Sequence, residues 1–245
     1  MIDMTTTDKM LNHTRVIIPA RLQSGRLPNK LLQYACGKSL LQWTHERAKQ
    51  LGFPVMVLTS DHEILKHCYD YNMTCLLRPC EAKNGTQRIA EYVSSRHIDE
   101  ESETQWIINW QADEPLIEIE DVQKMMNIQF GDVLTLVAPI GVDELSNPNV
   151  TKAAFNGIYC HWFSRAAMAG AFGHCGIYMY SLYALRTFHK CRHDKSFYAE
   201  QESLEQLTWI ENEYGCVRAA EIEKLPLSIN TSADWVAFKM LKEKE

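Results

Sequence analysis

The chain of 245 residues lacks features that mark several common classes of protein. No apolar run approaches the roughly 18 residues that a membrane-spanning helix needs, so we expect no membrane association. No cysteines have the C-x-x-C spacing of zinc and redox sites, and the eight scattered cysteines are typical of buried, reduced thiols. No G-x-x-x-x-G-K-[ST] sequence occurs, which makes an ordinary P-loop NTPase unlikely as a class.

An excess of basic residues is also absent. The chain carries 25 Lys and Arg against 31 Asp and Glu, a formal net charge of -6, which disfavours binding to nucleic acid. Residues 1–14 are polar and contain no apolar core of a secretory signal, so we expect a cytoplasmic protein. Without linkers or repeats, the sequence predicts a polar N-terminal extension at 1–14 and one domain at 15–245.

Short apolar runs alternate with helix-like segments through the first half of the chain. The pattern predicts strands at Val16–Pro19, Val55–Thr59, Thr74–Leu77 and Trp106–Trp110. It predicts helices at Ser39–Leu51 and Thr86–Ser95, and a helix that begins near Glu63 with Asp61 as its cap. Such alternation favours a parallel sheet with right-handed crossovers.

The second half is less regular. Strands with turns are predicted within Val133–Ile140 and Val150–Phe163, and a further strand at Gly176–Tyr180. Helices are predicted at Gln201–Glu211 and Ala233–Lys242. The whole pattern indicates an α/β protein with a mixed sheet.

The loop after the first predicted strand contains three cations, Arg21, Arg26 and Lys30, separated by small and polar residues such as Ser24. Open α/β sheets bind ligands where a strand ends, and Arg and Lys are the side chains that hold phosphate oxygens there. The loop therefore predicts a site for a polyanion such as a nucleoside triphosphate. A solvated surface loop is the alternative.

A carboxylate lies at a second strand end. Asp113 follows the strand predicted to end at Trp110, at the same edge of the sheet as the cationic loop. Carboxylates hold Mg²⁺ beside bound phosphates, although Asp-Glu-Pro is also a common start of a turn. Together with the loop, Asp113 suggests a nucleotide and Mg²⁺ site.

Further motifs occur in a fixed order over residues 16 to about 241. They are Val16–Leu32, Asn84–Arg88, Gln111–Ile117, Asn147–Asn149 with Lys152, Phe163–Ala166, His174–Tyr178, Glu202–Leu207 and Ile229–Thr231. In this order they resemble the signature segments of the 3-deoxy-D-manno-octulosonate (Kdo) cytidylyltransferases. The chain is identified by this resemblance as a divergent member of that family.

The resemblance implies a Rossmann-like nucleotidyltransferase fold with a mixed, mostly parallel sheet. It implies transfer of CMP from CTP to a Kdo-type 2-keto sugar acid with release of pyrophosphate, in lipopolysaccharide biosynthesis, and it is compatible with a homodimer. The implied catalytic residues are Arg21, Arg26, Lys30 and Asp113. The implied nucleotide-binding residues are Arg21, Ser24, Arg26, Lys30, Asn84, Arg88 and Gln111. The implied residues around the sugar acid are Gln111, Arg165, His174, Tyr178, Glu205 and Gln206. The implied metal ligands for Mg²⁺ are Asp113 and Asn230.

Two departures from the family pattern leave alternatives open. Asn230 stands where the family has an aspartate, and an amide oxygen brings no negative charge to a metal. Only eight residues separate Arg165 from His174, where family members have a longer excursion. The alternatives are a cytidylyltransferase for another acidic acceptor, such as a nonulosonate or a phosphonate, and a non-catalytic CTP-binding paralogue.

Overall fold

The computed structural model describes residues 13–23, 27–95, 105–191, 196–212 and 216–244. Most of the predicted N-terminal extension, Ser24 and Arg26 lie outside these residues. The strands are β1 Thr14–Ala20, β2 Tyr34–Ala35, β3 Lys38–Ser39, β4 Val55–Thr59, β5 Cys75–Leu77, β6 Trp106–Trp110, β7 Val133–Pro139, β8 Lys152–Phe155, β9 Tyr159–Ser164, β10 Phe172–Ser181 and β11 Val217–Glu221. The helices are α1 Leu40–Lys49, α2 His62–Asp70, α3 Gly85–Ser94, α4 Ile119–Met126, α5 Val142–Ser146, α6 Leu182–Cys191, α7 Phe197–Glu202, α8 Leu207–Glu211 and α9 Ser232–Lys242.

The main sheet has nine strands in the order β5-β4-β1-β6-β10-β7-β11-β9-β8. Strands β5, β4, β1 and β6 pair in parallel, as do β7 and β11. Strand β10 is antiparallel to β6, β7 and β8, and β9 is antiparallel to β8 and β11, so these two strands oppose the other seven. The prediction of an α/β fold with a mixed, mostly parallel sheet is confirmed.

One part of the sheet closes on itself. The first residues of β10 pair with β8, at Phe172↔Ala153 and Gly173↔Lys152, while β10 also pairs with β7. Strands β7, β11, β9, β8 and β10 therefore form a ring. A Cβ at Gly173 would lie 2.5 Å from Cδ1 of Leu225 and 2.6 Å from Cγ2 of Ile140, so a larger residue there would require these side chains to move.

The hydrophobic core lies on both faces of the sheet because β1 is buried on both sides. Val16 and Ile18 belong to one buried cluster, whereas the intervening Ile17 belongs to a second cluster with Tyr178 and Trp209. A strand in a parallel sheet that is covered on both faces needs apolar residues at nearly every position, as β1 has. Among the described residues, no helix has the length and apolar character needed to cross a membrane.

Two local predictions are wrong. The segment Gln201–Glu211 is not one helix, because α7 ends at Glu202 and Ser203 has a φ of 53° in the left-handed region before α8 begins. Asp61 precedes α2 but makes no side-chain cap there. Its Oδ2 instead accepts a hydrogen bond from the backbone amide of Leu22 at 3.1 Å, which ties the loop after β1 to the end of β4.

Candidate active site

A cleft of about 850 Å³ opens where β1 and β6 end. It is bounded on one side by the loop after β1 and the start of α3, and on the other by β10 and the segment between α7 and α8. The chain from Leu225 to Asp234 closes a third side. The carboxyl edge of the parallel strands is where α/β sheets of this type bind ligands.

The start of α3 comes very close to β1. Asn84 caps the helix because its Oδ1 accepts a hydrogen bond from the amide of Gln87 at 2.8 Å. A Cβ at Gly85 would lie 2.8 Å from Cγ of Pro19, so only glycine permits this approach. Arg21 donates from Nη1 to the Lys83 carbonyl oxygen at 3.1 Å, next to the cap. The cation and the helix N-terminus thus face the same part of the cleft, an arrangement that suits phosphate.

Arg88 lies one turn into α3 and lines the cleft, although only 5% of it is exposed. Its Nη1 donates to the Sγ of Cys80 at 3.2 Å. A thiol is a weak acceptor, so this contact leaves most of the hydrogen-bonding capacity of the guanidinium to other groups.

Lys30 and Asp113 form the central ion pair of the cleft. Nζ of Lys30 lies 2.5 Å from Oδ2 of Asp113 and donates to the carbonyl oxygen of Ile229 at 2.9 Å. The two side chains are 13% and 20% exposed, so the pair is only partly screened by water. The amide of Ile229 also donates to the Asp113 carbonyl oxygen at 2.9 Å, which fixes Asn230 next to the pair.

The donor set around Asp113 is compatible with Mg²⁺. Mg²⁺ is usually held by one or two carboxylates together with substrate phosphates and water, so Asp113 and the amide oxygen of Asn230 are sufficient in kind. Nearby Asp234 is committed elsewhere, because its Oδ2 accepts from the amides of Asn230 and Thr231 at 3.0 and 2.7 Å. Within the described residues, no group of three or more acidic, cysteine or histidine side chains could hold a metal by itself.

Glu114, which sequence reasoning did not single out, forms part of the cleft floor and is 4% exposed. Burial, with the adjacent Asp113 carboxylate, raises the pKa of Glu114 to about 8. Its Oε1 accepts a short hydrogen bond from the hydroxyl of Ser228, and its Oε2 is buried without a hydrogen-bond partner. The only signal in the sequence is a second carboxylate beside Asp113 at the end of a buried strand.

Polar side chains from three elements meet at the other end of the cleft. The hydroxyl of Tyr178 on β10 donates to Oε1 of Gln206 at 3.1 Å. Thr86 on α3 donates from Oγ1 to Oε1 of Glu205 at 2.6 Å. Burial raises the pKa of Glu205 to about 7, although the hydrogen bonds from Thr86 lower it in part.

His174 is held as a neutral imidazole. Burial and the charge of Arg165 lower its pKa to about 3. Its Nε2 lies 2.9 Å from Oγ1 of Thr135, which donates its own proton to the Ile177 carbonyl oxygen at 2.7 Å, so we assign the imidazole proton to Nε2. The rings of His174 and Tyr178 are 5.1 Å apart, far closer than the about 13 Å that four residues of regular strand span. The pairing of β10 with β7 shifts register between Cys175 and Tyr178, and this irregularity brings the two rings together.

Arg165 follows β9 at the rim of the cleft. Its Nη1 donates to the Pro148 carbonyl oxygen at 3.2 Å, and its Nε donates to the Glu202 carbonyl oxygen at 3.2 Å. Arg165 therefore bridges the loop before β8 and the end of α7. A half-buried guanidinium at this position suits an anionic group such as a carboxylate.

A profile of the cytidylyltransferase family matches residues 15–225, which is most of the chain. The chain belongs to the cytidylyltransferase family. The cleft described above is thus the candidate active site of a nucleotidyltransferase, and the sequence-based prediction of the family is confirmed.

Curated relatives of this cytidylyltransferase have similar lengths. The 3-deoxy-manno-octulosonate cytidylyltransferase of Bartonella quintana (strain Toulouse) is 32% identical over 233 residues, covering 89% of this chain and 94% of the relative. The protein of the same name from Francisella tularensis subsp. novicida (strain U112) is 28% identical over 240 residues, with the same two coverages. The likeness extends over the cleft and both halves of the sheet.

Two solved structures are similar in fold to this chain. A CMP:2-keto-3-deoxy-manno-octonic acid synthetase complexed with CTP superposes with a TM-score of 0.83 and 28% identity, covering 94% of this chain and 98% of that one. A 4-diphosphocytidyl-2C-methyl-D-erythritol synthase from Anaerococcus prevotii superposes with a TM-score of 0.65 at 13% identity, which shows a shared fold alone.

The cytidylyltransferase fold brings most of the predicted site residues to one cleft. The lining residues among them are Arg21, Lys30, Asn84, Arg88, Gln111, Asp113, Arg165, His174, Tyr178, Glu205, Gln206 and Asn230. Ser24 and Arg26 lie outside the described residues. The individual roles of all these residues stay predictions.

The neutral state of His174 makes a prediction about acid stability. The pKa of His174 is about 3 in the folded protein and has its ordinary value of 6.5 in the unfolded chain. As the pH falls from 6.5 to about 3, the unfolded chain therefore binds a proton that the folded protein does not, and the free energy of unfolding decreases. Because solvent in the cleft partly screens the imidazole, we expect the free energy of unfolding to fall by only about 1 kcal/mol at pH 5. His174→Gln, which keeps a donor for Thr135, should remove this part of the pH dependence.

Urea unfolding of wild type and His174→Gln at pH 7 and pH 5 measures the difference, with His62→Gln on the exposed first turn of α2 as the control for the chemical change. Equal losses of stability in wild type and His174→Gln would contradict the assignment.

Proposed function

We propose that this cytidylyltransferase transfers CMP from CTP to a Kdo-type 2-keto sugar acid and releases pyrophosphate. The observation that supports it most is a single cleft with two chemically different ends. One end has cations and a helix N-terminus for phosphates, and the other has Arg165 together with hydrogen-bonding side chains of β10 and of the segment between α7 and α8 for an acidic sugar. The names of the relatives, and the CTP in the solved synthetase, agree with this reading.

The reaction is an in-line displacement at the α-phosphorus. The oxygen of the anomeric hydroxyl of the sugar acid forms the new bond to phosphorus as the bond to pyrophosphate breaks, and the hydroxyl proton passes to water. Protein groups contribute mainly by positioning the reactants and compensating charge. Arg21 and Lys30 lie where they can balance the charge of the departing pyrophosphate.

Mg²⁺ is the metal that we propose for the site. Asp113, with the amide oxygen of Asn230, would hold it beside the phosphates. When bound, Mg²⁺ withdraws charge from phosphate oxygens. Lys30 already contacts Asp113 at 2.5 Å, so with Mg²⁺ held by Asp113 this lysine would share the carboxylate or turn towards the phosphates.

The acid-binding end explains how an acceptor is oriented. Arg165 would pair with its carboxylate, while Tyr178, Gln206 and Glu205 offer donors and acceptors to sugar hydroxyls. The hydrogen bond between Tyr178 and Gln206 fixes both groups, so the acceptor meets a preformed surface.

A screen for pyrophosphate release tests the proposal. The four nucleoside triphosphates are each combined with Kdo, nonulosonates and phosphonates at several Mg²⁺ concentrations. Turnover that needs CTP, Mg²⁺ and Kdo together supports the proposal, and turnover with CTP and only another acid identifies a different acceptor. CTP binding without turnover in any combination identifies a non-catalytic paralogue. Asn230 would be consistent with that outcome, because its amide brings no negative charge to a metal. Cytoplasmic location and a homodimer stay predictions.

Asn230→Asp should lower the Mg²⁺ concentration needed for half-maximal turnover by about 3- to 10-fold, because a second carboxylate strengthens oxygen-ligand binding of Mg²⁺. The Mg²⁺ dependence of pyrophosphate release measures the change. Asn127→Asp, at the exposed end of α4, adds the same charge away from the cleft. An unchanged Mg²⁺ dependence in Asn230→Asp would rule out position 230 as a metal ligand.

A further inference from the structure

Arg165 is held from outside the cleft by a carboxylate. Oε2 of Glu202 accepts a hydrogen bond from the backbone amide of Arg165 at 2.9 Å, and Oε1 accepts from the hydroxyl of Ser164 at 2.8 Å. The backbone carbonyl of Glu202 also accepts from Nε of Arg165. Glu202 is not among the residues that line the cleft, so it contacts Arg165 from behind.

A buried cation contacts the same residue through its backbone carbonyl oxygen. Lys152 is 0% exposed, and its Nζ donates to the carbonyl oxygens of Asn147, Val150 and Arg165 at 2.7, 2.8 and 2.8 Å. All three donors of the ammonium are thus used on backbone oxygens. Burying an ammonium costs several kcal/mol unless its donors are satisfied, so an apolar side chain would serve packing alone at lower cost.

These contacts join Arg165 and the loop 147–151 into one unit. The loop residues Asn147 and Val150 are bound by Lys152, and Pro148 is bound by the Arg165 guanidinium. Both the loop and Arg165 line the acid-binding end of the cleft, whereas Lys152 does not. The hydrogen bonds described for this unit join β8, β9, the end of α7 and the loop 147–151, which lie at the acid-binding end.

We propose that Lys152 and Glu202 are positioning residues that fix Arg165 and the loop 147–151, and thereby set the affinity for the carboxylate of the acceptor. The inference rests on the proposed function. Arg binds a carboxylate through a planar pair of donors, so its orientation decides the strength of the contact. A displacement of about 1 Å in such a group can weaken function by about 10²-fold.

The test compares Glu202→Gln with Glu200→Gln, the same change on the same helix. Glu200 is exposed and its contact with Lys83, 3.6 Å away, lies at the surface. In Glu202→Gln the amide can still accept from Ser164 or from Arg165 but no longer brings a charge, so the hold on Arg165 weakens. We expect the KM for the sugar acid to rise about 10-fold, with the Kd for CTP within 2-fold of wild type.

Two more variants keep the test decisive if Glu202→Gln folds poorly. Ser164→Ala removes one hydroxyl donor to Glu202 and should raise the KM for the sugar acid by about 3-fold. Lys152→Met should raise it more, and Lys152→Arg, which restores charge and donors, should recover part of the loss. Thermal unfolding of each variant identifies those that are folded at the assay temperature.

The outcomes separate the inference from the function on which it depends. An acceptor KM within 2-fold of wild type in folded Glu202→Gln and Ser164→Ala overturns the inference while the proposed function stands. Parallel rises in the acceptor KM and the CTP Kd also overturn it, because they indicate a general structural defect. A wild type that shows no turnover with any sugar acid overturns the proposed function and the inference together.

Discussion

Asp113→Asn is expected to lower kcat by about 10³-fold while leaving the Kd for CTP within about 5-fold of wild type. The change keeps the size of the side chain but removes the carboxylate that meets Lys30 and that we propose to hold Mg²⁺. The triphosphate is already anionic when CTP binds, and the reaction moves further negative charge onto the departing pyrophosphate, so the loss should fall on turnover more than on binding. Pyrophosphate release and the quenching of tryptophan fluorescence by CTP measure the two quantities.

Asp121→Asn is the control for this variant, since Asp121 forms an ion pair with Lys124 on the surface of α4. It should turn over at nearly the wild-type rate. A kcat within about 5-fold of wild type in Asp113→Asn would contradict the central role of Asp113, because loss of one charge-stabilising group usually costs about 10²- to 10³-fold.

Lys30→Met is expected to lower kcat/KM for CTP by about 10²- to 10³-fold, with a smaller change in the KM for the sugar acid. Methionine keeps the unbranched apolar part of the side chain but removes the ammonium from Asp113 and from the Ile229 carbonyl. The phosphates then lose a cation, and Asp113 is left with an uncompensated charge facing them. Initial rates with each substrate varied in turn separate the two effects.

Lys38→Met is the matched control, because Lys38 forms an equally short pair with Glu46, 2.5 Å apart, on the exposed surface. A loss in Lys38→Met as large as that in Lys30→Met would show that breaking any lysine pair disturbs the protein. Because Lys30 and Asp113 are in contact, the combined Lys30→Met and Asp113→Asn variant should lose less than the product of the single losses.

The central strands could be predicted well from the sequence because they are buried on both faces. The strand predicted at Trp106–Trp110 has the observed bounds, and the first predicted strand, Val16–Pro19, lies within Thr14–Ala20. An apolar run of this kind has few alternatives once it is bounded by polar loops. The position of Asp113 followed directly, since it depends only on where β6 ends.

Features that depend on contacts between distant segments could not be predicted. The break at Ser203 has no proline or glycine to mark it, and a left-handed serine is set by its tertiary surroundings. Lys30 and Asp113 form an ion pair although 83 positions separate them in the sequence. A motif that contains Lys152 does not reveal that its ammonium donates to three backbone carbonyls. Strand β11 was missed because Val217–Glu221 is short, weakly apolar and paired only at long range.

The ring of strands β7, β11, β9, β8 and β10 has a consequence for how acceptor specificity can change. The residues that join β9 to β10 begin with Arg165, and among them Ala166, Ala167, Ala169 and Gly170 are exposed. Neither strand depends on that connection for its register, which β8, β7 and β11 set. The length of this connection can therefore change without disturbing the ring, and we expect residues inserted there to alter the rim of the cleft beside Arg165 more than the loop after β1 and the start of α3.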